Sequence, residues 1–398
     1  MSIDLKNLKL VPFAILACVI MQVVVSFNVF GFLLPLSIVV WIVCLLSFIV
    51  FLYLYAREGK MSNYGMLWVS YLFMILLPST LLNGTSLKLL SRIIVDCTLF
   101  MMLVSYYQHN IVYLIKCCNI VFSGIIYLNL ALMIMFPNWM FAAENVFDSF
   151  LLGGNYNQMG GRLLCGIITS VLCIKFDKRW VINTIGLIVV SLITLAIVGS
   201  MTALSGIIIF TLFCLVPFAR LQRIGLVSFF IFYLFFQIFV CFNGEGLHNN
   251  ELARYIIIDV LGKDITFTYR TTLWELASRL FADSPIIGYG CVVSDWYVNH
   301  MTSFAIGPHN FIWGQLINGG VLLLSLLICI FIVAIRRILT CFDRMACVLT
   351  FGLCTLLFMM LMEVYPLFLV LYLLTFIYYY PLIVEQTEAL KNGTSETT

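Results

Sequence analysis

His309 and Asn310 stand at the head of a long apolar run, GPHNFIWGQLINGG (307–320), in a chain with only four histidines among 398 residues. An imidazole with an ordinary pKa near 6.5 can take a proton from a hydroxyl close to neutral pH. Asparagine is also a favoured helix N-cap, so Asn310 reads equally as a cap and as a ligand contact. Upstream, Arg270 opens the segment RTTLWELASRLFADSP. Arg270, Trp274, Ala277 and Phe281 recur at i, i+4, i+7 and i+11, which places them on one helix face. A guanidinium presents a planar fork of donors that matches phosphate. The helix dipole mildly disfavours a cation at a helix start, which weighs toward an anion site at Arg270. A solvated arginine is the plain alternative.

Further groups carry potential chemistry. Arg92 and Asp96 lie four residues apart in an apolar run, SRIIVDCTLF. Ionisable residues within such a run are costly and face a cavity or a partner, so this is either a self-satisfied ion pair or an arginine turned toward an anionic ligand. Arg162 closes GGNYNQMGGR, with Asn157 and Gln158 before it. Glycines let a ligand approach the backbone closely, whereas an interfacial arginine that snorkels explains the residue without a ligand. Glu363, in MLMEVYP, can bind a sugar hydroxyl or orient an arginine. Trp274, Tyr289, Trp296 and Tyr297 offer amphipathic surface for sugar rings or an interfacial belt, and for Trp313 the belt is the safer reading.

The elements that must position these residues follow from composition. The chain is 63% hydrophobic and 10% charged, against roughly 25% charged in a soluble domain. It reads as an all-α polytopic membrane protein. At about 20 apolar residues per crossing, twelve spans are expected near 10–28, 31–55, 64–82, 89–107, 112–135, 161–176, 181–199, 202–218, 224–242, 309–334, 345–365 and 367–384. The first is read as a span and not a cleaved signal, because no small-residue cleavage site follows it. Spans one to nine fill 1–242, with a smaller outer loop near 136–160. A large extracytoplasmic loop, 243–308, contains the short amphipathic helix. Spans ten to twelve and a short tail fill 309–398.

Orientation follows Lys and Arg in short connections. An N-in, C-in chain puts Lys6, Lys9, Arg57, Lys60, Lys175, Lys178 and Arg179 inside, and likewise the pairs Arg220/Arg223 and Arg336/Arg337, then Arg344 and Lys391. Lys88, Arg92 and Arg162 then fall on the outer side and need another explanation. Most of the fourteen cysteines lie in apolar runs and read as small buried hydrophobes; Cys241 and Cys291 alone are candidates for a disulfide. There is no C-x-x-C, no H-E-x-x-H, no P-loop and no basic patch for nucleic acid. His248, His300 and His309 share the long loop at spacings that fit no standard metal site.

TYRTTLWELASRLFADSPIIGYG followed by GPHNFIWGQLINGGVLLL resembles the signature region of the O-antigen polymerase and O-antigen ligase superfamily. The matching residues are Arg270, Trp274, Ser284, Pro285, Gly288, Gly290, His309, Asn310, Gly319 and Gly320. The resemblance covers roughly 55 residues, with the spans and the large loop before the tenth in support. It implies metal-independent glycosyl transfer, without a cofactor, at the outer face of the cytoplasmic membrane. The donor is an oligosaccharide on undecaprenyl pyrophosphate. Further implied partners are membrane lipids and a polysaccharide chain-length regulator. Arg270 would meet the leaving pyrophosphate and His309 would act on the acceptor hydroxyl. The substrate-binding set is Arg162, Arg92, Asn310, Trp274, Glu363 and Asn157. One position departs from the family pattern: GSMTALSG has Met201 where an arginine is expected, so a second phosphate-binding arginine must come from elsewhere, with Arg162 and Arg92 the candidates.

Three functions compete on this reading. A repeat-unit polymerase making O-antigen or capsule is favoured. A ligase that moves finished glycan to lipid A-core or to protein uses the same chemistry. A lipid-linked oligosaccharide flippase belongs to another class, and it would place its polar residues at the midplane of broken helices, not at one mouth.

Overall fold

The structure is a computed structural model that describes residues 10–27, 33–58, 62–137, 150–153, 156–244, 251, 255, 269–303 and 306–395. His248 and much of the 136–160 and 243–308 loops lie outside the described residues. The regular elements of the described residues are all helices, and an isolated antiparallel bridge joins Val25 to Leu152.

The helices are α1 (Leu10–Val24), α2 (Leu34–Glu58), α3 (Asn63–Leu82), α4 (Leu87–Tyr106), α5 (Ile111–Met135), α6 (Met159–Ile174), α7 (Trp180–Val198), α8 (Met201–Leu215) and α9 (Ala219–Cys241). Then come α10 (Arg270–Asp283), α11 (Ser294–His300), α12 (Phe311–Ile338), α13 (Arg344–Met359), α14 (Leu367–Tyr378) and α15 (Tyr380–Ser395). A helix stands at each position where the sequence predicts a span. Six of them, α2, α3, α5, α7, α9 and α12, are long and apolar enough to cross a membrane, and α14 with α15 makes a seventh if that bent pair is one span. The chain is a membrane protein on this ground. The predicted last span, 367–384, is two helices bent by 55° where Tyr379 separates them.

Local chemistry accounts for several helix starts. Ser62, Ser86, Asn310 and Asp343 each cap a helix by accepting a backbone N–H three residues on, which satisfies a donor the helix cannot. The core gathers around α14, where every side chain from Phe368 to Ile377 is buried, and around α6, buried from Met159 to Cys173. The outward faces of α2, α7 and α9 expose Ile38, Ile42, Ile182 and Phe235, as helices solvated by lipid should.

The amphipathic helix α10 packs on α12. Thr271, Leu273, Trp274 and Ala277 form its buried side, and the Glu275–Arg279 pair, 3.5 Å apart, is worth a few tenths of a kcal/mol at most.

α12 is broken at Gly319 (φ −148°, ψ 17°) and Gly320 (φ 61°, ψ −160°). The break frees backbone groups that a buried helix must satisfy. The 284–291 segment supplies them: Tyr289 and Gly290 donate to the Ile317 and Asn318 carbonyls at 2.7 Å each, and Val321 donates to Pro285 at 2.8 Å. A side chain on Gly320 would collide with the Ile286 backbone, and one on Gly290 with that of Thr80. The SPIIGYG and NGG motifs are therefore two halves of one joint, and that joint fixes the N-terminal half of α12.

Candidate functional site

Glu363 joins the two residues singled out first. Its Oε1 lies 2.5 Å from a terminal guanidinium nitrogen of Arg270, and its Oε2 lies 3.1 Å from His309 Nδ1. Arg270 Nε donates to the Met362 carbonyl at 2.8 Å. The carboxylate is buried, at 8% side-chain exposure, while Arg270 and His309 each keep 20%. The acid thus sits beneath and the cation and imidazole reach the surface. With Nδ1 held against a carboxylate, the proton belongs on Nδ1 and Nε2 is the nitrogen left to act as a base.

The backbone at this site is strained at two places. His309 has φ 45° and Tyr269, directly before Arg270, has φ 65°. Non-glycine residues rarely adopt this region, and each such residue stores on the order of 1–3 kcal/mol. Both are the only non-glycine residues with positive φ among those described, and both adjoin or belong to the cluster.

Asn310 anchors the site from below. It is fully buried, caps α12 through Trp313 N–H at 3.1 Å, and donates to Gln237 Oε1 at 2.9 Å and to the Leu361 carbonyl at 3.2 Å. Phe311 N–H adds a bond to the Met360 carbonyl at 3.0 Å. The start of α12 is thereby pinned to the same loop, 360–366, that carries Glu363. Gln237 lies in a π turn, Gln237–Cys241, that ends α9. A second π turn, Ser70–Leu76 in α3, brings Tyr71 to hydrogen-bond Gln315. Such turns recur at functional sites, and here both brace the front half of α12.

On the other side of the 360–366 loop lies a basic cavity of about 650 Å³, with Lys88, Arg92 and Arg162 in its lining. A neighbouring cavity of about 260 Å³ shares Arg92 and Arg162 and adds Asp96 and Pro366. Arg162 is buried; it donates to the Gln158 carbonyl at 2.6 Å and to Val23 at 3.3 and 3.4 Å. Arg92 hydrogen-bonds the Gln22 carbonyl and lies 3.8 Å from Asp96. Tyr365 packs on Gly161, beside Arg162. The loop therefore presents Glu363 to one cluster and, two and three residues later, Tyr365 and Pro366 to the other.

Several sequence-predicted residues fall elsewhere. Trp274 is fully buried; its ring packs in the core and presents no open face for stacking on a sugar, which departs from the expected substrate contact. Trp313 is also buried, donating to the Cys241 carbonyl at 3.0 Å, so it is a core residue and not part of a belt. Asn157 is half-buried in the turn Tyr156–Gln158 just before α6 and is not in the lining of either cavity. Cys241 and Cys291 are both free thiols. Sequence reasoning did not find Gln237 or Tyr365. Gln237 had a signal, a lone amide within an apolar run; Tyr365 had none beyond lying two residues from Glu363.

No family model matches this chain, and a search of curated proteins returns no match.

Proposed function

We propose that the chain is a membrane glycosyltransferase that polymerises lipid-linked oligosaccharide repeat units into a surface polysaccharide, O-antigen or capsule. On this reading it has twelve spans, N-in and C-in, in the cytoplasmic membrane, and its active site opens on the extracytoplasmic face. Its donor is a glycan on undecaprenyl pyrophosphate. The observation that carries the reading is the Arg270–Glu363–His309 cluster, a base and a cation held by one buried carboxylate at one mouth of the bundle.

The reaction on this site runs as follows. His309 Nε2 takes the proton of the acceptor hydroxyl, and that oxygen attacks the anomeric carbon of the donor sugar. The bond from carbon to pyrophosphate oxygen breaks, and the pyrophosphate leaves with the electron pair. Arg270 meets the charge that grows on the leaving group. Glu363 holds the imidazole in the tautomer that leaves Nε2 free and stabilises the imidazolium once it forms. The Arg270–Glu363–His309 cluster lies at the N-terminal end of α12 and not at mid-helix, which favours an enzyme over a flippase.

The test is complementation of a strain lacking the gene. Arg270→Ala and His309→Ala should each leave single attached repeats at normal protein level, because loss of such a group removes about 3 kcal/mol of barrier lowering. Near-normal polymer in either variant sinks the assignment. In the deletion strain, absence of any attached repeat with lipid-linked polymer accumulating would instead identify a ligase.

A further inference from the structure

The 650 Å³ cavity is within the size range of small-molecule sites. Three of its lining residues are cationic, and none of its described lining residues is acidic. Lys88 and Arg92 lie one turn apart on α4, and Arg162 begins α6 from the facing side. The two guanidinium groups are held by the carbonyls of Gln22, Val23 and Gln158. Carbonyls fix a guanidinium in place without neutralising it, and among the described residues the one carboxylate beside these groups is Asp96, 3.8 Å from Arg92, against three cations. Asp96, near Arg92, lines the smaller cavity and not this one. Ser26 adds a hydroxyl to the wall. A buried arginine and two further cations around one space favour a multiply charged anion.

The same cavity is lined by Ile38 and Trp41 of α2. From there an exposed apolar stripe, Ile38, Ile42 and Leu46, runs along the helix at i, i+4 and i+8. The site thus continues from concentrated positive charge into a lipid-facing groove, which matches a ligand with a phosphate head and a long apolar tail. No histidine or carboxylate lines it among the described residues. It can hold an anion but has no group to move a proton.

We propose that the Lys88–Arg92–Arg162 cavity binds the pyrophosphate head of a lipid-linked substrate that keeps its phosphate through the reaction, with the tail along α2. This rests on the polymerase reading and deepens it. Of two lipid-linked substrates in that reaction, the donor loses its pyrophosphate at Arg270. The acceptor must remain on its lipid, and this cavity is where its head is held.

The experiment measures binding of farnesyl pyrophosphate, farnesol and inorganic pyrophosphate to the full chain in detergent. An Arg270→Ala background removes the other cation a pyrophosphate would meet. Farnesyl pyrophosphate should bind at least tenfold more tightly than either of the others. Lys88→Gln and Arg92→Gln, both at exposed positions, should each weaken it about tenfold, and Lys88→Arg should retain it. Unchanged binding in a folded Lys88→Gln/Arg92→Gln variant overturns the site. Equal binding of farnesol overturns the anion claim, and equal binding of inorganic pyrophosphate overturns the lipid claim. Because no turnover is read, failure here leaves the Arg270 and His309 polymer assay untouched, and the reverse also holds.

Discussion

Two ionic clusters sit at opposite ends of α12, a helix long enough to separate them by on the order of 40 Å. Beyond its C-terminal end, Asp343 binds Lys175 at 2.6 Å and accepts from the Tyr380 hydroxyl at 2.6 Å, while capping α13 through Ala346 N–H at 2.8 Å. Lys175 also donates to Tyr380 at 2.6 Å and lies over its ring at 4.6 Å. Before the N-terminal end, Glu363 binds Arg270 and His309. Both clusters consist of a carboxylate, a cation and a ring. They differ in what surrounds them. Asp343 is half-exposed, its charge matched by Lys175, and neither Asp343 nor its partners has positive φ. Glu363 is buried, positive φ falls at His309 and at Tyr269 beside Arg270, and three cations, Lys88, Arg92 and Arg162, line the cavity next to it, with Asp96 paired to Arg92. The first arrangement is what stability alone produces. The second spends stability to fix geometry, which is the pattern expected of a working site.

The sharpest way to break this contrast is to remove a cation from each cluster. Arg270→Ala should lower polymerisation about a hundredfold or more, with little change in protein level. Lys175→Ala should do the reverse, lowering thermal stability and abundance while the folded fraction keeps its activity. The measurements are polymer length on a gel and protein level by immunoblot. If Lys175→Ala abolishes polymer at normal level, the two clusters are not different in kind. A smaller effect is expected at the bridging acid. Glu363→Gln keeps the shape but loses the charge that supports an imidazolium, and should reduce initial rate in vitro by roughly ten- to a hundredfold. It should also shift the pH–rate profile, which a merely structural glutamate would not do.

Much of the fold was legible because apolar run length reports helices directly. Each expected span coincides with a helix, down to the proline break before Leu367. What periodicity cannot report is pairing across long separations. Glu363 is 93 residues from Arg270 and 54 from His309, and nothing local in MLMEVYP says which of them it binds. The positive-inside exceptions were the better clue: Lys88, Arg92 and Arg162, anomalous as topology markers, meet in one cavity. Trp274 misled because a tryptophan on an amphipathic face serves core packing and ring stacking equally well in one dimension. The π turns were illegible, since a one-residue insertion into a helix leaves an apolar run unchanged.

Protonation separates the clusters further. Burial raises the Asp343 pKa, but hydrogen bonds from Lys175, Tyr380 and Ala346 N–H, with the Lys175 charge, outweigh it and hold the carboxyl below its ordinary value. A carboxyl depressed in the folded state contributes stability that is fully present above its unfolded pKa of about 3.9 and is lost as pH falls through the folded value. Asp343→Asn should therefore cost about 1 kcal/mol near neutral pH, discounted for its exposure, and should flatten the acid limb of the stability curve. Thermal melts across pH 3 to 7 test this, and an unchanged acid limb would remove Asp343 from the account.

The smallest expected effect bears most directly on why His309 stands where it does. At φ 45° an imidazole is held in a conformation that glycine adopts without penalty. His309→Gly and His309→Ala both delete the ring and should abolish polymer equally. They should differ in stability: Gly relieves the strain and Ala retains it, so the glycine variant should be the more stable by about 1 kcal/mol. A glycine variant that outlasts the wild type in a thermal melt while making no polymer would mean that selection keeps a destabilising histidine for its chemistry. Equal melting of the Gly and Ala variants would mean that the backbone at 309 stores no strain, and the contrast between the two clusters would then rest on charge alone.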